Sequence, residues 1–211
     1  MESVLKTHSI NIQLKSIVKR FFDIVFSVIG LSLFSWLLFL TWFLAIVDTQ
    51  SNGFFIQERI GQFGRRFKIY KFRTIQMLPN SKVFQISEIG KFLRKYKLDE
   101  LPQLINILKG EMSVVGPRPD IAGYYNLLEG ENRKILELKP GLTGLASLKY
   151  FDEEALLREQ EDSLSYNDNV LFPDKVQLNL EYYYCQSFFG DLKIIVETFK
   201  FIFGKKITSA I

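Results

Sequence analysis

Charged positions recur along the chain except in one stretch: Ile24 to Val47 is 24 uncharged residues, bounded by Asp23 and Asp48. That exceeds the ~20 residues a helix needs to cross a hydrocarbon core. The run is apolar all round, with no polar stripe, so it predicts a membrane helix rather than a buried helix of a soluble domain. It is too long for the core of a cleaved signal, and no small-residue cleavage pattern follows it. The turn cluster Thr49 to Gly53 (TQSNG) ends it. Phe54 to Ile60 and Phe67 to Arg73, rich in aromatic and β-branched residues and separated by a glycine-bearing turn, predict a hairpin. In the second run Phe67, Ile69, Lys71 and Arg73 share one face at period two.

Ser87 to Tyr96 predicts a short basic helix. Leu98, Leu101, Leu104, Ile105 and Leu108 then follow helical spacing, with Gly110 placed to stop the helix. Pro102 is tolerated only in a first turn, which predicts a start near Asp99 with that residue as N-cap. Further helices are predicted over Ala155 to Leu164 and Val176 to Tyr184. In the last helix Leu192, Ile195, Val196, Phe199, Ile202 and Phe203 form an apolar stripe that suits a core or a membrane interface equally.

Composition narrows the chemistry. The 211 residues include one Cys (Cys185) and one His (His8). An intrachain disulfide, a Ser-His-Asp triad and a zinc cage of His and Cys are thereby set aside. The net charge is +4 but unevenly spread. Gln57 to Glu100 holds eleven Lys/Arg against four acids, and Asp152 to Asp174 holds eight acids against one Arg. Such blocks can be merely solvated faces that attract each other; the sharper reading of the basic block is an anionic partner, whether nucleic acid, lipid headgroup or phosphate substrate.

Charge also bears on topology. Lys15, Lys19 and Arg20 precede the apolar run, and Arg59, Arg65, Arg66, Lys68, Lys71 and Arg73 follow it. The positive-inside tendency holds both flanks on the cytoplasmic side, which suits a helix that enters and turns back; an ordinary spanning anchor is the alternative. Each half would reach roughly 18 Å, about one leaflet. Gly30, Ser32 and Ser35 are the small residues available for the bend.

Asp99 and Glu100 are adjacent carboxylates following Arg94, Lys95 and Lys97. A helix N-terminus and neighbouring cations favour the ionised forms. An ionised Asp beside phosphate oxygens and a hard cation suits nucleophilic attack on phosphorus, although a capping Asp and a first-turn Glu are commonly only helix punctuation. In Gly110 to Asp120 (GEMSVVGPRPD), Pro117 and Pro119 stiffen the backbone on both sides of Arg118. A rigid guanidinium can grip phosphate in bidentate fashion; plainly read, it is an exposed Arg on a tight turn. Lys139 to Leu145 (KPGLTGL) is a turn open to close backbone approach.

KRFFDIV, QERIGQFGRRFKIYKFRT, LRKYKLDELPQLINILKGEMSVVGPRPD and KPGLTGLA, in that order and at these spacings, resemble the bacterial sugar transferase family, the monotopic polyprenyl-phosphate phosphoglycosyl transferases. The likeness runs from Lys19 to Ala146 and returns weakly over Leu178 to Thr198. It implies a mostly α fold with a small β-hairpin (α+β): residues 1–48 form an arm and a re-entrant membrane helix, and residues 49–211 a catalytic domain with interfacial amphipathic helices. It implies transfer of a hexose 1-phosphate from a UDP-sugar donor to a polyprenyl phosphate acceptor with release of UMP, the first membrane step in building a capsule, O-antigen or glycoprotein glycan. The implied place is the cytoplasmic face of the bacterial inner membrane, in contact with the bilayer and with no nucleic-acid partner.

By the same resemblance Asp99 is the nucleophile, Asp99 and Glu100 lie beside Mg²⁺, and Lys71, Arg94 and Arg118 are the basic phosphate-binding positions, with Arg73 on the Lys71 face added from the strand pattern. Three departures stand out. Trp36 follows Ser35 where the family bends its helix with Ser-Pro; Gln85, Ile86 and Ser87 replace Arg-Ile-Thr; and Leu145 to Phe151 (LASLKYF) replaces a more polar stretch. The competing readings are a glycosyltransferase that releases UDP and a non-enzymatic adaptor for anionic lipid.

Overall fold

The computed structural model describes residues 2–77 and 84–204; the side chains of His8 and Lys15 lie outside the described residues. In chain order the elements are α1 (Glu2–Leu33), α2 (Ser35–Thr49), β1 (Phe54–Ile60), β2 (Arg66–Phe72), β3 (Ile75–Met77), β4 (Phe84–Ile86), α3 (Glu88–Lys95), α4 (Gln103–Lys109), β5 (Ser113–Val115), β6 (Gly141–Thr143), α5 (Leu145–Lys149), α6 (Glu153–Arg158), α7 (Ser163–Tyr166), α8 (Phe172–Cys185) and α9 (Phe188–Ile202). The fold is mostly helical with small two-stranded sheets, as the α+β expectation holds. The predicted hairpin forms as β1 and β2; the pairing of β3 with β4, with Ile75 opposite Ile86 and Met77 opposite Phe84, is an addition. Two compact units result: Met1–Gln57 with Lys68–Val114, and Glu58–Phe67 with Val115–Ile211.

In the first unit the apolar run is broken at Phe34, where α1 and α2 meet at a bend of 68° between Ser16–Leu33 and Ser35–Thr49. Ser35 Oγ donates to Ser32 O at 3.0 Å, so a hydroxyl serves a carbonyl at the bend without a proline. Gly30 does something other than ease the bend: its carbonyl accepts from Phe34 N in ordinary helical fashion, and its missing side chain makes room for Leu104 of α4, 3.1 Å from where a Cβ would stand.

The burial pattern of this helix pair is inverted. Asp23, Ser27 and Thr41 are buried, whereas Phe21, Ile29, Trp36, Phe39 and Phe43 are exposed. No single helix among the described residues is long and apolar enough to cross a membrane; the bent pair together has that length and composition.

Both ends of the pair are tied to the rest of this unit. Arg20 donates to Ile107 O at 2.6 Å and Leu108 O at 2.7 Å, capping the last carbonyls of α4 with a cation where the helix dipole favours one. Asp23 Oδ1 accepts from Val114 N at 2.9 Å and Ser113 Oγ at 3.0 Å. At the far end Asp48 Oδ2 accepts from Ser87 Oγ at 2.7 Å, while that hydroxyl caps α3 by accepting from Gly90 N. The rings of Trp42, Phe54 and Phe72 then run in contact from α2 to the hairpin.

The second unit has its own core of Ile60, Tyr125, Ile135, Leu136 and Val176, against which Phe172 and Leu180 of α8 pack. The helix expected over Ala155 to Leu164 is in fact two, because Asp162 accepts from Ser165 N at 2.9 Å and restarts the chain as α7. In α9 the stripe divides: Ile195 is buried and Leu192 half-buried, but Val196 and Phe199, and Phe203 just past the helix, are exposed.

Candidate active site

The carboxylate pair lies in the first unit on a single 3₁₀ turn, Leu98–Glu100, between α3 and α4. The turn is entered through Lys97 at φ 54°, a left-handed conformation sparsely used by residues with a side chain. Helix α4 starts only after Pro102, so Asp99 is not its N-cap, correcting the sequence expectation. Both carboxylates are buried, Asp99 to 7% and Glu100 to 5% exposure. Among the described residues Asp99 Oδ1 has no hydrogen-bond partner. Helix punctuation would leave this oxygen on a backbone amide; instead it is buried and desolvated.

That environment sets its acidity. Burial, and then the charge of Glu100, push the Asp99 carboxyl up to about 6, against the pull of Lys71, Lys97 and Arg94. The three cations therefore do not set the direction of the shift. Desolvation wins over three nearby cations, although a carboxyl at 6 is still mostly ionised at neutral pH.

Strand β2 brings Lys71 to the pair. Its Nζ donates to Glu100 Oε1 at 2.9 Å, with the two side chains 17% and 7% exposed. Arg94, in the last turn of α3, donates from Nε to Thr74 Oγ1 at 2.8 Å. Arg73 follows the end of β2 and donates from Nε to Phe54 O at 3.3 Å, across the base of the hairpin. Lys71, Arg73, Arg94, Asp99 and Glu100 thus belong to one unit.

Arg118 belongs to the second unit, half-buried on the Gly116–Asp120 loop. That loop is as rigid as its prolines suggest. Gly116 N donates to Thr143 O at 2.9 Å, Gly141 N to Pro117 O at 2.7 Å and Ile60 N to Asp120 O at 2.8 Å. Gly116 and Gly141 approach so closely that a Cβ on Gly141 would stand 2.1 Å from Gly116 N. This is the reason for glycine in both GPRP and KPGLTG. Arg59 adds an ion pair to Asp120 at 3.7 Å.

Sequence reasoning missed three neighbours: Thr74, Gln103 and Asn106, all buried. Gln103 Nε2, one turn after the pair, has no hydrogen-bond partner among the described residues. The signal was present, since Gln103 and Asn106 are polar residues inside the apolar run Leu101 to Leu108.

For Mg²⁺ the donor chemistry fits. Asp99 offers an unpartnered carboxylate oxygen whose ionisation burial opposes, and a divalent cation relieves that opposition. Among the described residues no cluster of three or more ligating side chains forms. Mg²⁺ commonly takes only one or two carboxylates and completes its shell with water and substrate phosphates.

A buried carboxylate pair, with one acid held by a lysine and an oxygen of the other unpartnered among the described residues, is suited to nucleophilic group transfer. The family model for bacterial sugar transferases matches residues 14–205, and the chain belongs to that family. It is 33% identical over 190 residues to the uncharacterised sugar transferase EpsL of Bacillus subtilis, covering 86% of this chain and 85% of that protein. It is 33% identical over 194 residues to the UDP-glucose:undecaprenyl-phosphate glucose-1-phosphate transferase of Escherichia coli, covering 86% of this chain and 39% of that protein. It is 30% identical over 202 residues to the UDP-N-acetylgalactosamine-undecaprenyl-phosphate N-acetylgalactosaminephosphotransferase of Aeromonas hydrophila, covering 88% of this chain and 43% of that protein. The chain therefore spans about two fifths of the length of the latter two.

Proposed function

We propose that this chain transfers a hexose 1-phosphate from a UDP-sugar to undecaprenyl phosphate, releasing UMP through a covalent aspartyl-phosphosugar intermediate. The observation that carries this reading is the buried Asp99 Oδ1, which has no partner among the described residues. In the first step that oxygen attacks the sugar-bearing phosphorus, the phosphoanhydride bond breaks, and UMP leaves with the bonding pair. In the second an acceptor phosphate oxygen attacks the same phosphorus and Asp99 departs as carboxylate. A carboxyl near 6 is ionised at neutral pH yet more basic than an exposed one, which suits an attacking group.

Lys71 holds Glu100 in place; Arg118, Arg94 and Arg73 are assigned to the phosphate charge of the substrates. Bound Mg²⁺, held by Asp99 with Glu100, would supply neutralisation of phosphate oxygens. Burial of Asp99 also keeps water from the acyl phosphate. The names of the Escherichia coli and Aeromonas relatives support a UDP-sugar donor and an undecaprenyl phosphate acceptor.

The same reading seats the chain on the cytoplasmic face of the bacterial inner membrane, with α1 and α2 as a re-entrant hairpin. It rests on the inverted burial pattern and on both ends of the pair gripping one unit, at Arg20 and Asp23 and again at Asp48. A straight rod would part Asp23 from Asp48 by about 38 Å.

The test is to incubate purified protein with Mg²⁺, undecaprenyl phosphate and, in turn, UDP-glucose, UDP-galactose and UDP-N-acetylgalactosamine, then identify the nucleotide released. UMP is expected; UDP means only the sugar moves, and no nucleotide from any donor leaves a lipid-binding adaptor. For topology, Ser3→Cys in a Cys185→Ser background should resist an impermeant thiol reagent applied to intact cells. Labelling from outside means the pair spans.

A further inference from the structure

Strand β2 carries Lys71, and α4 follows directly on the turn that carries Asp99 and Glu100. One buried side chain joins the two elements. Asn106, 0% exposed midway along α4, accepts at Oδ1 from Tyr70 N at 3.1 Å and donates from Nδ2 to Lys68 O at 2.7 Å. In an extended strand the backbone groups of residues two apart point to the same edge. The carboxamide therefore meets Lys68 and Tyr70 as the peptide group of a neighbouring strand would. The second Nδ2 hydrogen goes to Glu111 Oε2 at 2.7 Å, which leaves the amide one orientation consistent with all three partners. Lys71 is the next residue along the strand, and its Nζ reaches Glu100.

We propose that Asn106 is a positioning residue for the transfer reaction: it sets the register of β2 against α4 and thereby holds Lys71 on Glu100. The proposal rests on the reading of Asp99 and Glu100 as the reacting centre. It explains an otherwise costly choice, a fully buried amide in an apolar helix, by the two strand-edge groups that would be left unsatisfied without it. A second link between the same elements, Lys109 Nζ to the Tyr70 hydroxyl at 2.7 Å, lies at the exposed surface and provides a contrast.

The experiment is a double-mutant cycle, with kcat and KM measured by UMP release in vesicles containing undecaprenyl phosphate, using the UDP-sugar that the unaltered chain turns over. A misplacement of about 1 Å can cost on the order of 100-fold, so Asn106→Ala should lower kcat by roughly 10- to 100-fold per folded molecule, with KM for the donor changed less than about threefold. In a Lys71→Met background the same substitution should lower kcat by no more than about threefold further, because the group through which it acts is gone. Lys109→Ala should leave turnover unchanged.

Should the alanine variant fail to fold, Asn106→Ser enters the same cycle. Independent, multiplying losses from Asn106 and Lys71 would overturn the inference, as would a loss that falls wholly on KM. No UMP release by the unaltered chain would be a different failure, that of the catalytic reading itself, and would take this inference with it.

Discussion

Replacing Asp99 by Asn should abolish transfer and at the same time stabilise the protein at neutral pH. A carboxyl held at about 6 in the fold, against its ordinary 3.8, makes the ionised native state on the order of 2–3 kcal/mol less stable than one with no charge to desolvate. The sign follows from linkage. With the folded value above the unfolded one, folding takes up a proton; the penalty is absent below about 3.8, grows between there and 6, and is complete above 6. An amide at the same position keeps the shape without the charge, so the gain should be present at pH 7.5 and largely absent at pH 4. For a chain of this size 2 kcal/mol corresponds to a rise in Tm of about 4–8 °C.

The assay is thermal unfolding of the unaltered protein and the Asp99→Asn variant in the same detergent, in EDTA, at both pH values, alongside UMP release with Mg²⁺. Loss of stability at pH 7.5 in Asp99→Asn would mean the carboxylate makes stabilising contacts after all. Equal effects at both pH values would mean burial does not govern its acidity, and retained turnover would remove it as the nucleophile.

Lys71→Met should destabilise the fold by up to about 3 kcal/mol, because it takes a 2.9 Å ion pair away from the buried Glu100; urea unfolding at pH 7.5 measures this. Arg20→Met should cost about 1–3 kcal/mol by taking the guanidinium from Leu108 O and from Ile107 O, which keeps Gly110 N, and the loss should appear as faster amide exchange in the last turn of α4. Arg118→Lys keeps the charge but loses the planar fork, so turnover should fall at least about 10-fold with Tm nearly unchanged; near-normal turnover would reduce Arg118 to a general positive charge.

Local pattern was enough for much of this protein. Period and punctuation placed the apolar run, the β1–β2 hairpin, and α3, because each depends on residues a few positions apart. The dyad was legible as adjacent acids behind a basic run. What it lacked was the sign of its electrostatics: counting neighbouring charges favours ionisation, whereas the carboxyl of Asp99 answers first to how much protein covers it, and burial is a property of packing. Arg20 and Asp23 read as the charged border of a membrane helix, yet their side chains are spent on carbonyls and amides some 90 positions away, at Ile107, Leu108 and Val114. Gly30 read as part of a bend and is instead the place where Leu104 fits. Asn106 drew no reading from the sequence and is the link to the strand that bears Lys71. Short-range order follows from the chemistry of neighbouring residues; which polar group meets which across the chain is decided only when the backbone closes on itself and every buried donor and acceptor must find a partner.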